Sequence, residues 1–229
     1  KLYQARGQHP YITIAPGGES YCEVGKRMHH VLLHMTQKRN QDLVMFTHSG
    51  CIKSLLCKLN EIQEAIESKQ IPKRVTHNDT RYSNVLIDSD SKKAICLIDL
   101  DTVMPGASIL DFGDAVRAGA ATFTEDEKFG NIELDMELFR GYVQGYCHEM
   151  GRILTAKEKE VMVYAVWLMT MESGIHFLTD YLSGDRNMTN FSDERQNLYR
   201  AVNQFFLVLD IEEKKEQMDE IVAAVLMKK

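Results

Sequence analysis

Residues 75–101 read VTHNDTRYSNVLIDSDSKKAICLIDLD. A His-x-Asp-x-x-x-x-Asn loop (His77, Asp79, Asn84) runs into two short apolar segments that flank a polar turn at 88–93, and the second segment ends at Ile98-Asp99. Apolar segments of this length around a polar turn predict a β-hairpin, with strands at 84–87 and 94–98. A hairpin brings its ends within about 5 Å of each other, so Asn84 and Asp99 are expected side by side, with Asp79 reaching the same place from the loop. Phosphoryl transfer to a hydroxyl uses such groups: one carboxylate to orient and deprotonate the acceptor, and an amide and a second carboxylate to hold a divalent cation. Asp79 is therefore the candidate base, and Asn84 and Asp99 are the candidate Mg²⁺ ligands. His77 is the candidate brace of the loop backbone, since one base suffices for the chemistry. Turn propensity alone explains any one of these polar residues, but not the spacing of all of them.

Outward from this stretch the chain reads as helix. Apolar spacing predicts helices at about 110–118, 133–150, 155–183, 192–209 and 211–227. Thr155-Ala-Lys-Glu158 has the form of a capping box at the start of the third. That helix carries Val161, Ala165, Leu168, Met169, Glu172 and His176 along one face and is expected to cross the core. Asp111-Phe112-Gly113 spells a metal-binding tripeptide, but it opens a helix instead of ending a strand, so Asp111 and Asp114 are assigned to capping that helix and steadying the loop 100–110. Before the loop, 19–39 has helical spacing, 42–47 (DLVMFT) reads as a buried strand, and a further helix follows from 51 to 69. The fold class expected is α+β, mostly α.

The 229 residues allow one large domain or two small ones. Residues 1–60 hold 8 Lys/Arg against 3 Asp/Glu, a balance of +5, while 61–229 hold 19 against 30, a balance of −11. Such a shift predicts two segments of different origin, 1–60 and 61–229. The acidic larger part argues against a nucleic-acid partner. No apolar run approaches the roughly 20 residues of a membrane span, so no membrane partner is expected. Five scattered cysteines (Cys22, Cys51, Cys57, Cys96, Cys147) without a Cys-x-x-Cys pair suggest free thiols and a cytoplasmic location.

Five phrases, VTHNDTRYSNVLID, IDLDTVMPG, DFGDAVRAGA, ELFRGYVQGY and LMTMESGIHFLTDYLSGD, resemble in order the aminoglycoside phosphotransferase and choline kinase superfamily, and within it N-acetylhexosamine 1-kinases. The resemblance covers about 61–229. It implies a kinase-like second lobe built of catalytic loop, β-hairpin and helical bundle, and transfer of the ATP γ-phosphoryl group to the anomeric hydroxyl of an N-acetylhexosamine. It implies Asp79 as base, Asn84 and Asp99 as Mg²⁺ ligands, ATP as co-substrate, and Asp101 and His176 as substrate contacts. His176 reads equally well as a satisfied core histidine. The sheet, Gly-rich loop and lysine of a first lobe are not legible in 1–60, so a missing N-terminal lobe is an expected partner.

Residues 1–60 carry a different likeness. PGGESY opening a helix, then DLVMFTHSGCIKSLLCKL, resembles the second half of a histidine phosphatase of the phosphoglycerate mutase-like superfamily, so the kinase-like lobe is expected to follow a partial α/β segment. His48 matches a phosphoryl-contacting histidine there, ahead of a helix start that offers N–H groups to an anion. The nucleophile of that superfamily lies in an Arg-His-Gly tripeptide, which this sequence does not contain, so His48 is expected to be an inert remnant. The function expected first is sugar phosphorylation. Two others stand beside it: a non-catalytic binding domain, and a phosphomonoesterase acting through His48.

Overall fold

The computed structural model describes residues 61–127, 131–183 and 195–227. The chain divides into two compact units, Lys1–Glu67 and Ser68–Lys229. In the first unit the described residues 61–67 are helical, with Gln63 Nε2 donating to Glu67 Oε1 one turn on at 2.8 Å. The elements expected at 19–39 and 42–47, and most of that at 51–69, lie outside the described residues, as does His48.

The second unit opens with β1 (Lys73–Thr76), then a 3₁₀ turn at Tyr82–Asn84, β2 (Val85–Ile87) and β3 (Ala94–Leu97). A second 3₁₀ turn at Leu100–Thr102 leads into β4 (Met104–Ala107). The helices follow: α1 (Ser108–Gly119), α2 (Met136–Met150), α3 (Ala156–Glu160), α4 (Met162–Leu182), α5 (Gln196–Glu213) and α6 (Lys215–Met227). The described architecture is α+β and mostly helical, as expected.

β2 and β3 form the expected antiparallel hairpin, with Val85 opposite Leu97 and Leu86 opposite Cys96. Asp88 closes its turn, its carboxylate accepting from Ser91 N at 2.6 Å and its carbonyl from Lys92 N at 3.0 Å. Those bonds hold the Asp88 carboxyl below its ordinary pKa. A second antiparallel pair, β1 with β4, runs from Lys73 opposite Ala107 to Thr76 opposite Met104. Its partners are separated by the whole loop and hairpin, so no local pattern announces it.

The core lies among the helices. α4 packs against α1 and α5, and α2 packs against α6. Phe139, Val143 and Cys147, spaced by four, form the buried stripe of α2. Ile109, Phe112, Gly113 and Val116 form that of α1. At Gly113 a Cβ would collide with the backbone carbonyl group of Ala165, so the absent side chain sets how closely α1 meets α4.

Several helix limits differ from expectation for identifiable reasons. The capping box at Thr155 and Glu158 forms, but the helix it starts is α3, and the chain bends at Val161 before α4 begins. The Glu158 carboxylate, fully buried, pairs with Arg74 of β1, whose guanidinium also donates to Ile153 O at 2.8 Å. That pair ties α3 to the sheet. α2 starts at Met136 because Asp135 caps it, accepting from Glu137 N and Leu138 N. Leu134 is taken by a bridge to Ala121 and by Asp210 Oδ2, which accepts from Leu134 N at 2.6 Å. Asp210 also binds Lys214 Nζ at 2.9 Å, so α5 continues past the expected break at 210 to Glu213. The start expected at 192 lies outside the described residues. Only the first half of α4 is a core helix: Val161, Ala165 and Leu168 are buried, whereas Glu172 and His176 are exposed.

Among the described residues no helix is long and apolar enough to cross a membrane. Of the cysteines described, Cys96 is exposed and Cys147 buried.

Candidate functional site

The loop 77–84 is held from behind by the first two turns of α1. Asp111 accepts from His77 N at 2.8 Å and from Asn78 N at 2.9 Å. Asp114 accepts from Thr80 N at 2.8 Å, and Thr80 Oγ1 donates to Asp111 O at 2.6 Å. These bonds correct the expectation for both aspartates. Neither caps α1, whose first residue follows Ala107 without a side-chain cap. They steady the loop 77–80 and not 100–110, because β1 pairing with β4 lays that loop across the helix start. The segment 100–110 is held instead from the loop side: Thr102 Oγ1 donates to His77 O at 2.6 Å, and Asn78 Nδ2 donates to Thr102 O at 2.8 Å.

Asn78 and Asp99 both adopt left-handed backbone, with φ of 62° and 63°. Asn and Asp tolerate that region better than other side chains with a Cβ. Residues in sparsely populated conformations concentrate where a chain must aim groups at a common point. Here two of them stand at the loop and at the hairpin exit, while Lys69 and Lys92, also left-handed, stand ahead of β1 and in the hairpin turn.

Asp79 and Asn84 meet directly. Asn84 Nδ2 donates to Asp79 Oδ2 and to Asp79 O, each at 3.0 Å. Asn84 is buried, and spending its NH₂ on Asp79 leaves Oδ1 as its acceptor atom for a cation. Asn84 O accepts from Ile98 N at 3.0 Å, so the hairpin places Asp99 one residue from a direct backbone bond to Asn84. The His77 ring reaches the same strand end, Nε2 lying 3.1 Å from Ile98 O. A carbonyl can only accept, so Nε2 is the donor, and Nδ1 is buried with no hydrogen-bond partner among the described residues. Among the described residues no group of three or more His, Cys, Asp or Glu side chains is placed to hold a metal ion. Any cation at the hairpin would rest on Asn84 Oδ1 and Asp99, a two-ligand set of the kind Mg²⁺ completes with waters and phosphate oxygens.

The other expected site residues, Asp101 and His176, are both exposed. Asp101 is exposed on the 3₁₀ turn that follows Asp99. The reading of His176 as a core histidine is overturned. Its side chain is 69% exposed, and its ion-pair partner, when it is protonated, is Asp180 at 3.4 Å.

Arg81 had no role in the sequence reading, yet it is in direct contact with Asp79. Its Nε donates to Asp79 Oδ1 at 2.9 Å, and Nη1 lies 3.8 Å from Glu125 Oε2. Glu125 also accepts from Arg117 Nη1 at 2.7 Å, and Arg117 binds Asp114 at 2.8 Å. Carboxylates and guanidiniums thus alternate from Asp79 through Arg81, Glu125 and Arg117 to Asp114, which returns to the loop at Thr80. Burial alone would lower the pKa of Arg117, but the charges of Asp114 and Glu125 raise it on balance. An Asp-x-Arg spacing in a loop is the one local signal for Arg81. Glu125 and Arg117 carry none, because they meet only when α1 and the segment after it are folded. Beside Tyr82 a shallow open cleft of about 290 Å³ is lined by Ala118, Thr122, Phe123, Thr124 and Glu127, among others.

Among known families, the model of the histidine phosphatase superfamily (branch 1) matches residues 1–94. The match supports the likeness read in the first sixty residues and extends through β1 and β2 to Ala94, the first residue of β3. It also corrects the description of the chain as a kinase, an ATP-binding transferase or an N-acetylhexosamine kinase. The matched superfamily points to phosphatase or mutase chemistry, and nothing in the comparison supports the aminoglycoside phosphotransferase likeness.

Proposed function

We propose that this chain acts on phosphate esters as a histidine phosphatase-type phosphomonoesterase. The observation that carries the reading is the family match over residues 1–94. His48, at the end of the apolar run DLVMFT and followed by Ser49-Gly50, is the candidate phosphoryl contact. Neutral or protonated imidazole next to helix N–H groups suits a phosphate oxygen. No residue is assigned the nucleophile, because the sequence holds no Arg-His-Gly tripeptide. Release of p-nitrophenol from p-nitrophenyl phosphate tests the reading. His48→Ala is expected to lower that rate at least about 100-fold, the scale of one lost hydrogen-bond donor to the charge of the reacting group. Absence of hydrolysis by the unaltered chain, or equal hydrolysis by the variant, would overturn it.

A further inference from the structure

We propose that two copies of this chain join edge to edge through β3, which pairs antiparallel with its own counterpart about a two-fold axis at Cys96. The two hairpins then form one four-stranded sheet.

The edge carries the symmetry in its sequence. Residues 93–99 read Lys-Ala-Ile-Cys-Leu-Ile-Asp. Reversed against itself with Cys96 at the centre, Ile95 meets the partner's Leu97, Ala94 meets the partner's Ile98, and Lys93 meets the partner's Asp99. Each contact occurs twice, as a two-fold interface requires. Aliphatic pairs in the middle and opposite charges at both ends are the cross-strand pairs that stabilise an antiparallel sheet. All seven residues are exposed. Among the described residues neither Lys93 nor Asp99 has an ion-pair partner, and the Asp99 side chain caps nothing on the turn after it.

The backbone agrees with this pairing. Among the described residues β3 pairs with β2 alone. Ile98 N donates to Asn84 O, so by the alternation of an antiparallel ladder the backbone groups of Cys96 and Ile98 face β2, and those of Ile95 and Leu97 face outward. The register with β2 passes over Ile95, which has no opposite residue there. In the dimer, Ile95 and the partner's Leu97 exchange N–H and C=O groups on each side of the axis. Cys96 then faces the partner's Cys96 in a non-hydrogen-bonded pair, the closer kind. A lone two-stranded hairpin is marginal in water, and on this one Ile95 is 66% and Leu97 56% exposed. Apolar edges recruit further strands unless charge, proline or a covering element blocks them. Here the charges stand at the two ends in complementary order and leave the middle open.

Sedimentation equilibrium of the full chain under reducing conditions tests the pairing, and a dimer is expected. Lys93→Glu sets like charges against each other at both ends and is expected to weaken the dimer at least about 10-fold. Adding Asp99→Lys reverses both ends and is expected to restore it, which a merely damaged fold would not do. Lys92 already adopts the left-handed backbone that position 99 requires. Ile95→Lys puts a charge into the central pair and is expected to leave a monomer. Copper–phenanthroline oxidation is expected to link Cys96 to the partner's Cys96, as read from the mass of the joined peptide, and the link is expected to vanish in Ile95→Lys. Trp167 fluorescence verifies folding of each protein. A monomeric unaltered chain overturns the proposal. So does a dimer that survives Ile95→Lys and yields no link between the two copies of Cys96.

Discussion

Replacing Asp114 by alanine removes the residue that joins the loop to the core. The carboxylate accepts from Arg117 Nη2 at 2.8 Å, from Arg117 Nε at 3.0 Å and from Thr80 N at 2.8 Å. Both members of the ion pair are under 10% exposed. Breaking a buried pair by removing one partner costs about 3–5 kcal/mol, because the remaining charge is left desolvated. Arg117 keeps Glu125 Oε1 at 2.7 Å, so the lower end applies, about 3 kcal/mol. The orphaned Thr80 N–H adds up to about 1 kcal/mol, reduced by its partial exposure. A total near 3–4 kcal/mol lowers the midpoint of a domain this size by roughly 6–16 °C. The sole tryptophan, Trp167, lies in α4 and donates to Glu212 at 2.6 Å, so urea unfolding followed by its fluorescence reads the second unit alone. The double variant Asp114→Leu/Arg117→Met removes both charges and is expected to cost less than Asp114→Ala alone. A loss below about 1 kcal/mol for the single variant, or a double variant less stable than the single one, would refute the desolvation argument.

Other outcomes follow from the same structure. Gly113→Ala places a methyl against the carbonyl group of Ala165. Because the obstacle is backbone, α1 must move off α4, and a loss of about 1–3 kcal/mol in the same urea titration is expected. Tyr142 and Tyr146 both have pKa values raised above the ordinary 10.0, in each case first by burial. The folded state holds these phenols neutral, so the stability they contribute is fully present below pH 10 and is lost as pH rises through their folded values. Phenolate absorbance against pH should show them ionising after the exposed tyrosines. Tyr146→Phe should remove one late step and cost about 1 kcal/mol, since Ser108 O loses its 3.1 Å donor.

Much of the second unit was written locally. The hairpin and its turn, the capping box at Thr155, and the buried stripes of α1 and α2 depend on spacing over a few residues, and the structure has them. Adjacency of Asn84 and the 98–99 strand end was also legible, because hairpin pairing is fixed by turn length. Helix limits were not. Asp210 and Leu134 are remote in sequence, and their bond sets both the end of α5 and the start of α2. His176 lies on a face that reads as apolar by period, yet among the described residues nothing buries it there, and its side chain is 69% exposed. The role of the first unit rests on the family match, since residues 1–60 lie outside those described.

By itself the sequence determined that a hairpin follows the polar loop at 77–84. It also determined that helices dominate the rest, because periodicity, turn residues and capping motifs act within one or two turns of chain. Only the tertiary structure decided that Asp111 and Asp114 hold the loop from behind instead of capping their own helix, and that Arg81 grips Asp79. The physical reason is that a carboxylate or guanidinium takes whichever partner lies within about 3 Å and out of water. For these side chains that partner is supplied by the pairing of β1 with β4 and by the packing of α1, neither of which leaves a local trace.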